Sequence, residues 1–285
     1  MSGGGMPHAT PFSLPSEDWD LEMGIELAQV SKTFETKTMQ VRALEDLTFD
    51  IDDGEFVSII GPSGCGKSTL LRLMSGLIPA TSGWIRVDDS LVTGPLGSVG
   101  FVFQSPTLFK WRTIFQNVMF PYEVLAARRE TDLARDEYEK RAHHLLEMAG
   151  IADFADAHPK TLSGGMQQRA SICRALVHDP TLLLMDEPFG ALDEFTRERM
   201  NLELQRIWDE TRKTVAFVTH HIPEAVFLSD RVIVMSARPG RLIGDLRIDF
   251  PRPRSPELRE SVAFLEKVVE IRRLIGFEEV EEVDV

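Results

Sequence analysis

The chain has 285 residues, 45 acidic against 31 basic, giving a formal net charge of −14. A hydrophobic share of 43% supplies a core and excludes general disorder, and the acidic balance argues against a broad nucleic-acid surface. With no apolar run near the roughly 20 residues of a membrane span, no export signal at Met1–Gly5, and only Cys65 and Cys173, the composition predicts a soluble, globular, intracellular protein.

Residues 1–22 mix Gly, Pro, Ser and His without periodicity and read as a flexible leader. A strand pattern starts at Ile25, Leu27 and Val30. A second segment, Leu47 to Ile51, ends at the turn signal Asp52-Asp53-Gly54. Phe56 to Ile60 is continuously apolar, as a strand buried on both faces requires. Beyond residue 104, Thr131 is placed to cap a long helix carrying Leu133, Leu145, Leu146 and Met148, which Gly150 stops. Strand signals return at Leu182–Met185, Val215–Val218 and Val232–Met235. Their alternation with helices implies an α/β fold, a parallel sheet covered by helices on both faces. After Pro251 and Pro253, Ser255-Pro256 opens a helix with an apolar stripe of Leu258, Val262, Leu265 and Val269, and the acidic residues 277–285 read as a solvated tail.

Gly61-Pro62-Ser63-Gly64-Cys65-Gly66-Lys67-Ser68, followed by Thr69, satisfies G-x-x-x-x-G-K-[ST] between a buried strand and a helical run. Glycines let backbone N–H groups wrap phosphates, and the helix start favours negative charge. Lys67 is placed to reach the β- and γ-phosphates and Ser68 to offer its hydroxyl to Mg²⁺. The apolar strand ending in Asp186-Glu187 adds two carboxylates, Asp186 for the metal and Glu187 for orienting the attacking water. Asn-Lys-x-Asp, the usual guanine reader, does not occur. Nucleotide hydrolysis is the leading class.

Leu162-Ser163-Gly164-Gly165-Met166-Gln167-Gln168-Arg169 precedes that strand, and here the chain resembles the ATP-binding cassette ATPases, whose signature motif is LSGGQ-like, over roughly residues 25–245. The resemblance implies a P-loop NTPase fold with a parallel-sheet core, an N-terminal antiparallel part and a helical subdomain at about 105–165 inside a 23–250 domain, followed by a C-terminal helix and tail at 251–285. It implies a head-to-tail homodimer in which Ser163, Gly164 and Gly165 of one copy close over ATP held by the other. It further implies that Phe34 stacks on adenine, that Gln104 senses Mg²⁺ and the γ-phosphate, that Asp193 crosses the dimer interface, and that His220 is the switch histidine. Taken alone, Phe34 also fits a core residue. Two positions depart from the family: His221 and Ser105 stand where Asp is common.

Phe109 and Trp111, in Pro106-Thr107-Leu108-Phe109-Lys110-Trp111-Arg112-Thr113, resemble the partner-contacting stretch of the nitrate, sulfonate and taurine importer branch; packing inside the helical lobe is the other reading. Ala237-Arg238-Pro239-Gly240-Arg241 and the Pro-Arg-Pro-Arg stretch at 251–254 fit the same branch. The resemblance implies separate permease subunits, an external solute-binding protein, and a peripheral place on the cytoplasmic face of the inner membrane. A non-transport ATPase acting on nucleic acid or ribosomes is the alternative, but such proteins carry a coiled-coil insertion or a second cassette that this chain lacks. An ATP-binding regulator without turnover is opposed by the intact set of Lys67, Asp186, Glu187 and His220.

Overall fold

The computed structural model describes residues 23–35, 39–88, 90–129, 131, 133–190 and 192–276; the leader and the acidic tail expected from the sequence lie outside them. Two long strands, β1 (Met23–Glu35) and β2 (Gln40–Asp52), pair antiparallel and bury Ile25, Leu27, Leu47 and Ile51 on one side. The fully apolar β3 (Phe56–Ile60) enters the phosphate loop, and α1 (Lys67–Met74) leaves it. Then come β4 (Ser82–Val87), β5 (Ser90–Leu91) and β6 (Val99–Val102). A helical stretch follows: α2 (Ile114–Val118), α3 (Phe120–Arg128), α4 (Arg135–Met148) and α5 (Gly164–Leu176). The chain returns through β7 (Leu182–Asp186), α6 (Glu194–Thr211), β8 (Thr214–Val218), α7 (Ile222–Leu228), β9 (Arg231–Met235), β10 (Leu242–Arg247) and α8 (Val262–Ile275).

Two sheets result. One is antiparallel, ordered β2-β1-β4-β5; the other is ordered β10-β9-β3-β8-β7-β6 and is parallel except for β10. Side chains alternate along each parallel strand, so successive residues feed different cores. Val57, Ile59, Leu184, Ala216, Val218 and Ile233 pack with α1 and the antiparallel sheet. Phe56, Ile60, Leu183, Met185, Phe217 and Val232 pack with the other helices. Helices therefore cover both faces, though unequally. The order β3-β8-β7 places Ile59 beside Val218, and Val218 beside Asp186. The phosphate loop, the Asp186-Glu187 pair and His220 therefore leave the sheet side by side at its carboxyl end, where open α/β sheets bind ligands.

Two local expectations are corrected. Thr131 does not cap α4: its hydroxyl accepts from the Leu133 N–H at 3.2 Å, a local turn that competes with the helix, and Ala134 holds the N-cap position. Leu133 is left outside the helix and exposed. Gly150, at φ +62°, follows the end of α4 as expected. At the C-terminus, Ser255-Pro256 opens a 3-10 turn (Pro256–Glu260), and α8 is capped by the Ser261 hydroxyl. The face that α8 buries is Phe264, Val268 and Ile271, while Val262 and Leu265 point to solvent at 71% and 52% exposure. Both sets have helical spacing, so periodicity could not choose between them; Phe264, stacked near Phe250, takes the core side.

Candidate functional site

The phosphate loop is shaped by glycines where space is shortest. Gly66 has φ +113°, and a Cβ there would lie 2.6 Å from Leu44 Cδ2. Gly64 has φ +75°. Lys67, 5% exposed, folds back over the loop and donates from Nζ to the carbonyls of Gly61 (2.8 Å) and Pro62 (3.1 Å). Ser68 Oγ donates to Asp186 Oδ1 at 2.8 Å. Burial pushes the Asp186 carboxyl above the usual carboxylate range, and the Ser68 bond works against that rise. The Cys65 side chain is buried in the core, so only its backbone is available to a ligand.

Two groups meet on one carboxylate oxygen. Glu187 Oε2 lies 3.0 Å from His220 Nδ1 and 3.4 Å from Gln104 Nε2. Glu187 follows β7 with φ +44°, left-handed for a non-glycine residue, and its N–H is fixed by the Val218 carbonyl at 2.9 Å. That backbone turn swings the carboxylate out of the sheet and toward the phosphate loop. A cleft of about 260 Å³ is lined by Phe34, Ala43, Ser63, Lys67, Ser68, Thr69 and Glu187. Phe34 is 39% exposed at this cleft and is not a core residue.

Ser163, Gly164, Gly165 and Asp193 do not line the cleft. Ser163 caps α5, its hydroxyl accepting from the Met166 N–H. Asp193 caps α6, accepting from the Thr196 N–H at 3.0 Å, and these hydrogen bonds hold its carboxyl below its ordinary value. A Cβ at Gly165 would lie 3.2 Å from Thr196 Cγ2, so the two caps sit close together.

Two participants were missed. Arg238 lines the cleft and donates to the Gly64 carbonyl from Nη2 at 3.0 Å and Nε at 3.2 Å. Its loop is seated by Gly240, whose N–H donates to Ala43 O at 2.9 Å and whose added Cβ would stand 2.3 Å from the Cys65 carbonyl. The Arg-Pro-Gly triplet was the available signal. Arg197 bonds His221 Nε2 at 2.7 Å and donates to the carbonyls of Leu192 (2.8 Å) and Phe189 (3.4 Å). Burial first, then the Arg197 and His220 charges, lower the His221 pKa, so its neutral ring accepts from Arg197. The substitution at 221 therefore ties the His220 loop to the segment before α6. Ser105 is simply exposed beside Gln104.

Downstream of Gln104, Phe109 is half-buried against Trp111 (ring centroids 5.2 Å apart) and Phe120 (4.7 Å). Trp111 itself is 73% exposed. Phe109 also lines an apolar groove of about 520 Å³ with Phe101, Phe103, Phe120, Leu125 and Arg174.

Comparison with known proteins agrees with this geometry. Residues 44–190 match the family model described as ABC transporter. An uncharacterised ABC transporter ATP-binding protein of Methanocaldococcus jannaschii is 44% identical over 246 residues, 86% of this chain and 89% of that one. The aliphatic sulfonates import ATP-binding protein SsuB of Bacillus cereus is 40% identical over 250 residues, covering 87% and 95%. Among solved structures, a dimeric ATP-binding cassette in a post-hydrolysis state with ADP and Pi aligns at TM-score 0.68 and 34% identity, covering 80% of this chain and all of that one. A phosphate loop, a paired carboxylate and a histidine converging at the end of a parallel sheet, in a chain so similar to these cassettes, make this protein an ATPase of the ABC transporter family.

Proposed function

We propose that the chain is the ATP-hydrolysing subunit of an importer for small anionic solutes, working as a head-to-tail homodimer beneath separate permease subunits on the cytoplasmic face of the inner membrane. Among the described residues no helix is long and apolar enough to cross a membrane, so in this reading the pathway belongs to the partners. The similarity to a sulfonate-import subunit supports the solute class, and an external binding protein would deliver that solute. No nucleic-acid partner enters this reading.

ATP stacks its adenine on Phe34 and lays its phosphates along Gly61–Thr69. Lys67 exchanges its two loop carbonyls for the β- and γ-phosphates. Ser68 and Asp186, bonded to each other, offer oxygen ligands that fit Mg²⁺, and this reading assigns the Gln104 amide oxygen to the same ion. When bound, Mg²⁺ neutralises charge developing on the transferred phosphoryl group. Glu187 orients the water, and His220 donates to the γ-phosphate in the transition state. Ser163, Gly164, Gly165 and Asp193, outside the cleft in one chain, reach the nucleotide of a second copy. Dimer closure then moves the permease through the groove beside Phe109 and Trp111.

The observation that carries this reading is Trp111, 73% exposed and packed on Phe109, which lines an apolar groove just beyond Gln104. An aromatic patch of this kind marks a protein contact. The test is coexpression with a candidate permease from the neighbouring genes. Trp111→Ala should release the permease and abolish solute-stimulated ATPase activity while sparing the basal rate. Copurification and stimulation that survive the substitution count against the contact, and stimulation by nucleic acid instead of solute would favour the non-transport alternative.

A further inference from the structure

Behind His220 a polar chain runs through α7 and α6 to the C-terminal segment. The His220 ring is about half exposed and bonds Glu187, so its aim depends chiefly on the backbone that carries it. Thr219 fixes that backbone: its hydroxyl donates to Glu224 Oε2 at 2.5 Å and accepts from the His221 N–H at 3.0 Å, holding the peptide that follows residue 220.

Glu224, in the first turn of α7, is 3% exposed, and burial pushes its pKa up to about 7. Arg197 and Arg259 favour its ionised form, while Glu187 opposes it. Its second oxygen faces Asn201 of α6, which is fully buried. Arg259, from the turn that follows the Pro-Arg-Pro-Arg stretch, can only donate, so the Asn201 amide oxygen faces it at 2.9 Å. The amide nitrogen is thereby turned to donate to Glu224 Oε1 at 3.0 Å. Arg259 also pairs with Glu198 at 3.3 Å and lies 4.3 Å over the Phe227 ring of α7. At the far end of α7, Arg254 donates to the carbonyls of Val226, Phe227 and Ser229.

We propose that Glu224 is a positioning residue for His220, and that Arg259 of the C-terminal segment acts on ATP hydrolysis through Asn201, Glu224 and Thr219. A buried carboxylate is costly, and an apolar side chain would fill the site with less penalty. This polar chain instead terminates on the peptide that follows one histidine. The proposal rests on the reading of His220 as the γ-phosphate group.

The test uses the full chain and measures kcat, ATP affinity and Tm for Arg259→Ala and Glu224→Gln, each alone and combined with His220→Ala. Arg259→Ala should lower kcat about tenfold with ATP affinity unchanged, as for loss of one charged hydrogen bond. In the His220→Ala background it should lower kcat no further, because the group being aimed is gone. Glu224→Gln paired with Asn201→Asp keeps an acceptor for Arg259 and a donor–acceptor match between the two side chains, and should recover much of the rate lost by Glu224→Gln alone. Arg259 retains 20% side-chain exposure, so its alanine variant provides a folded test even where Glu224 variants are unstable. An unchanged kcat, or an equal loss with and without His220, overturns the proposal alone. An unimpaired His220→Ala overturns the reading of the histidine and the proposal with it.

Discussion

Lys67 in the cleft beside Phe34 and Arg254 behind α7 are both nearly buried cations, 5% and 2% exposed, yet they are held in different ways. Lys67 leans on two carbonyls of its own loop, which a phosphate can replace without moving another element. Arg254 spans carbonyls from α7, the start of the following turn and Ile248 just after β10, and Gln205 of α6 bonds its backbone in both directions. The same contrast separates the carboxylates: Glu187 keeps a 3.4 Å contact to Gln104 and is partly exposed, while Glu224 is sealed between Thr219 and Asn201. A ligand site needs polar groups whose partners can be exchanged. A brace needs groups whose partners cannot, since a buried group left unpaired bears the full desolvation cost.

The strongest way to break this comparison is at Glu187. Glu187→Gln should lower turnover by about 10³-fold, because the water loses its orienting carboxylate while the phosphate cradle remains. ATP binding should persist and trap a nucleotide-bound dimer, visible as a concentration-dependent mass shift on size exclusion with ATP. Wild-type turnover would remove Glu187 from its role. Arg254→Ala should act oppositely, costing about 3–5 kcal/mol of stability by leaving several buried carbonyls without a donor. Denaturant titration measures that loss. A variant of unchanged stability and lowered turnover would place Arg254 with the cleft groups instead.

The cleft was the readable region because contiguous residues carry its chemistry. Gly61 to Ser68 must be adjacent to form one turn, and Asp186-Glu187 must close one strand. Gln104 and His220 were assigned from family position alone, and their meeting at Glu187 follows from the order β8-β7-β6, which no single segment encodes. Arg238 was missed since its contact with Gly64 spans 174 residues. The α8 face was misassigned because the helix is apolar on two sides, and packing against α7, β9 and Phe250 selects the Phe264 side for burial. The brace around α7 was unreadable because the bonds of Arg254 to α7 and of Asn201 to Glu224 join distant segments.

Lys67→Ala sharpens the comparison at intermediate size. Two carbonyls lose an exchangeable donor in the free chain, so the fold should remain intact. ATP affinity should fall about 10- to 100-fold, the range for one charged hydrogen-bonding group. Equilibrium binding of a fluorescent ATP analogue checks this. A large drop in Tm with unchanged affinity would show that Lys67 braces its loop as Arg254 braces α7.

The smallest effect lies at His221, which belongs to both regions. The unpaired-looking departure from the family is in fact bonded: its Nε2 accepts from Arg197, which keeps the Leu192 and Phe189 carbonyls as further acceptors. Loss of one bond out of three should therefore cost about three- to tenfold in kcat, near 0.5–1.5 kcal/mol. That exceeds the negligible effect expected for a solvent-facing residue and stays well below the loss at His220. The pH dependence carries the sign. The folded-state pKa of His221 lies below its ordinary 6.5, mainly through burial, so the neutral ring is the form the fold favours. Its contribution is then fully present above pH 6.5 and is lost as the pH falls through the folded value. The stability gap between wild type and His221→Ala should accordingly be widest above pH 6.5 and narrow on acidification. Thermal melts of both proteins across pH 5–8 measure it. A gap that widens toward low pH would mean that the protonated ring is the stabilising form, and the Arg197 bond would have to be redrawn.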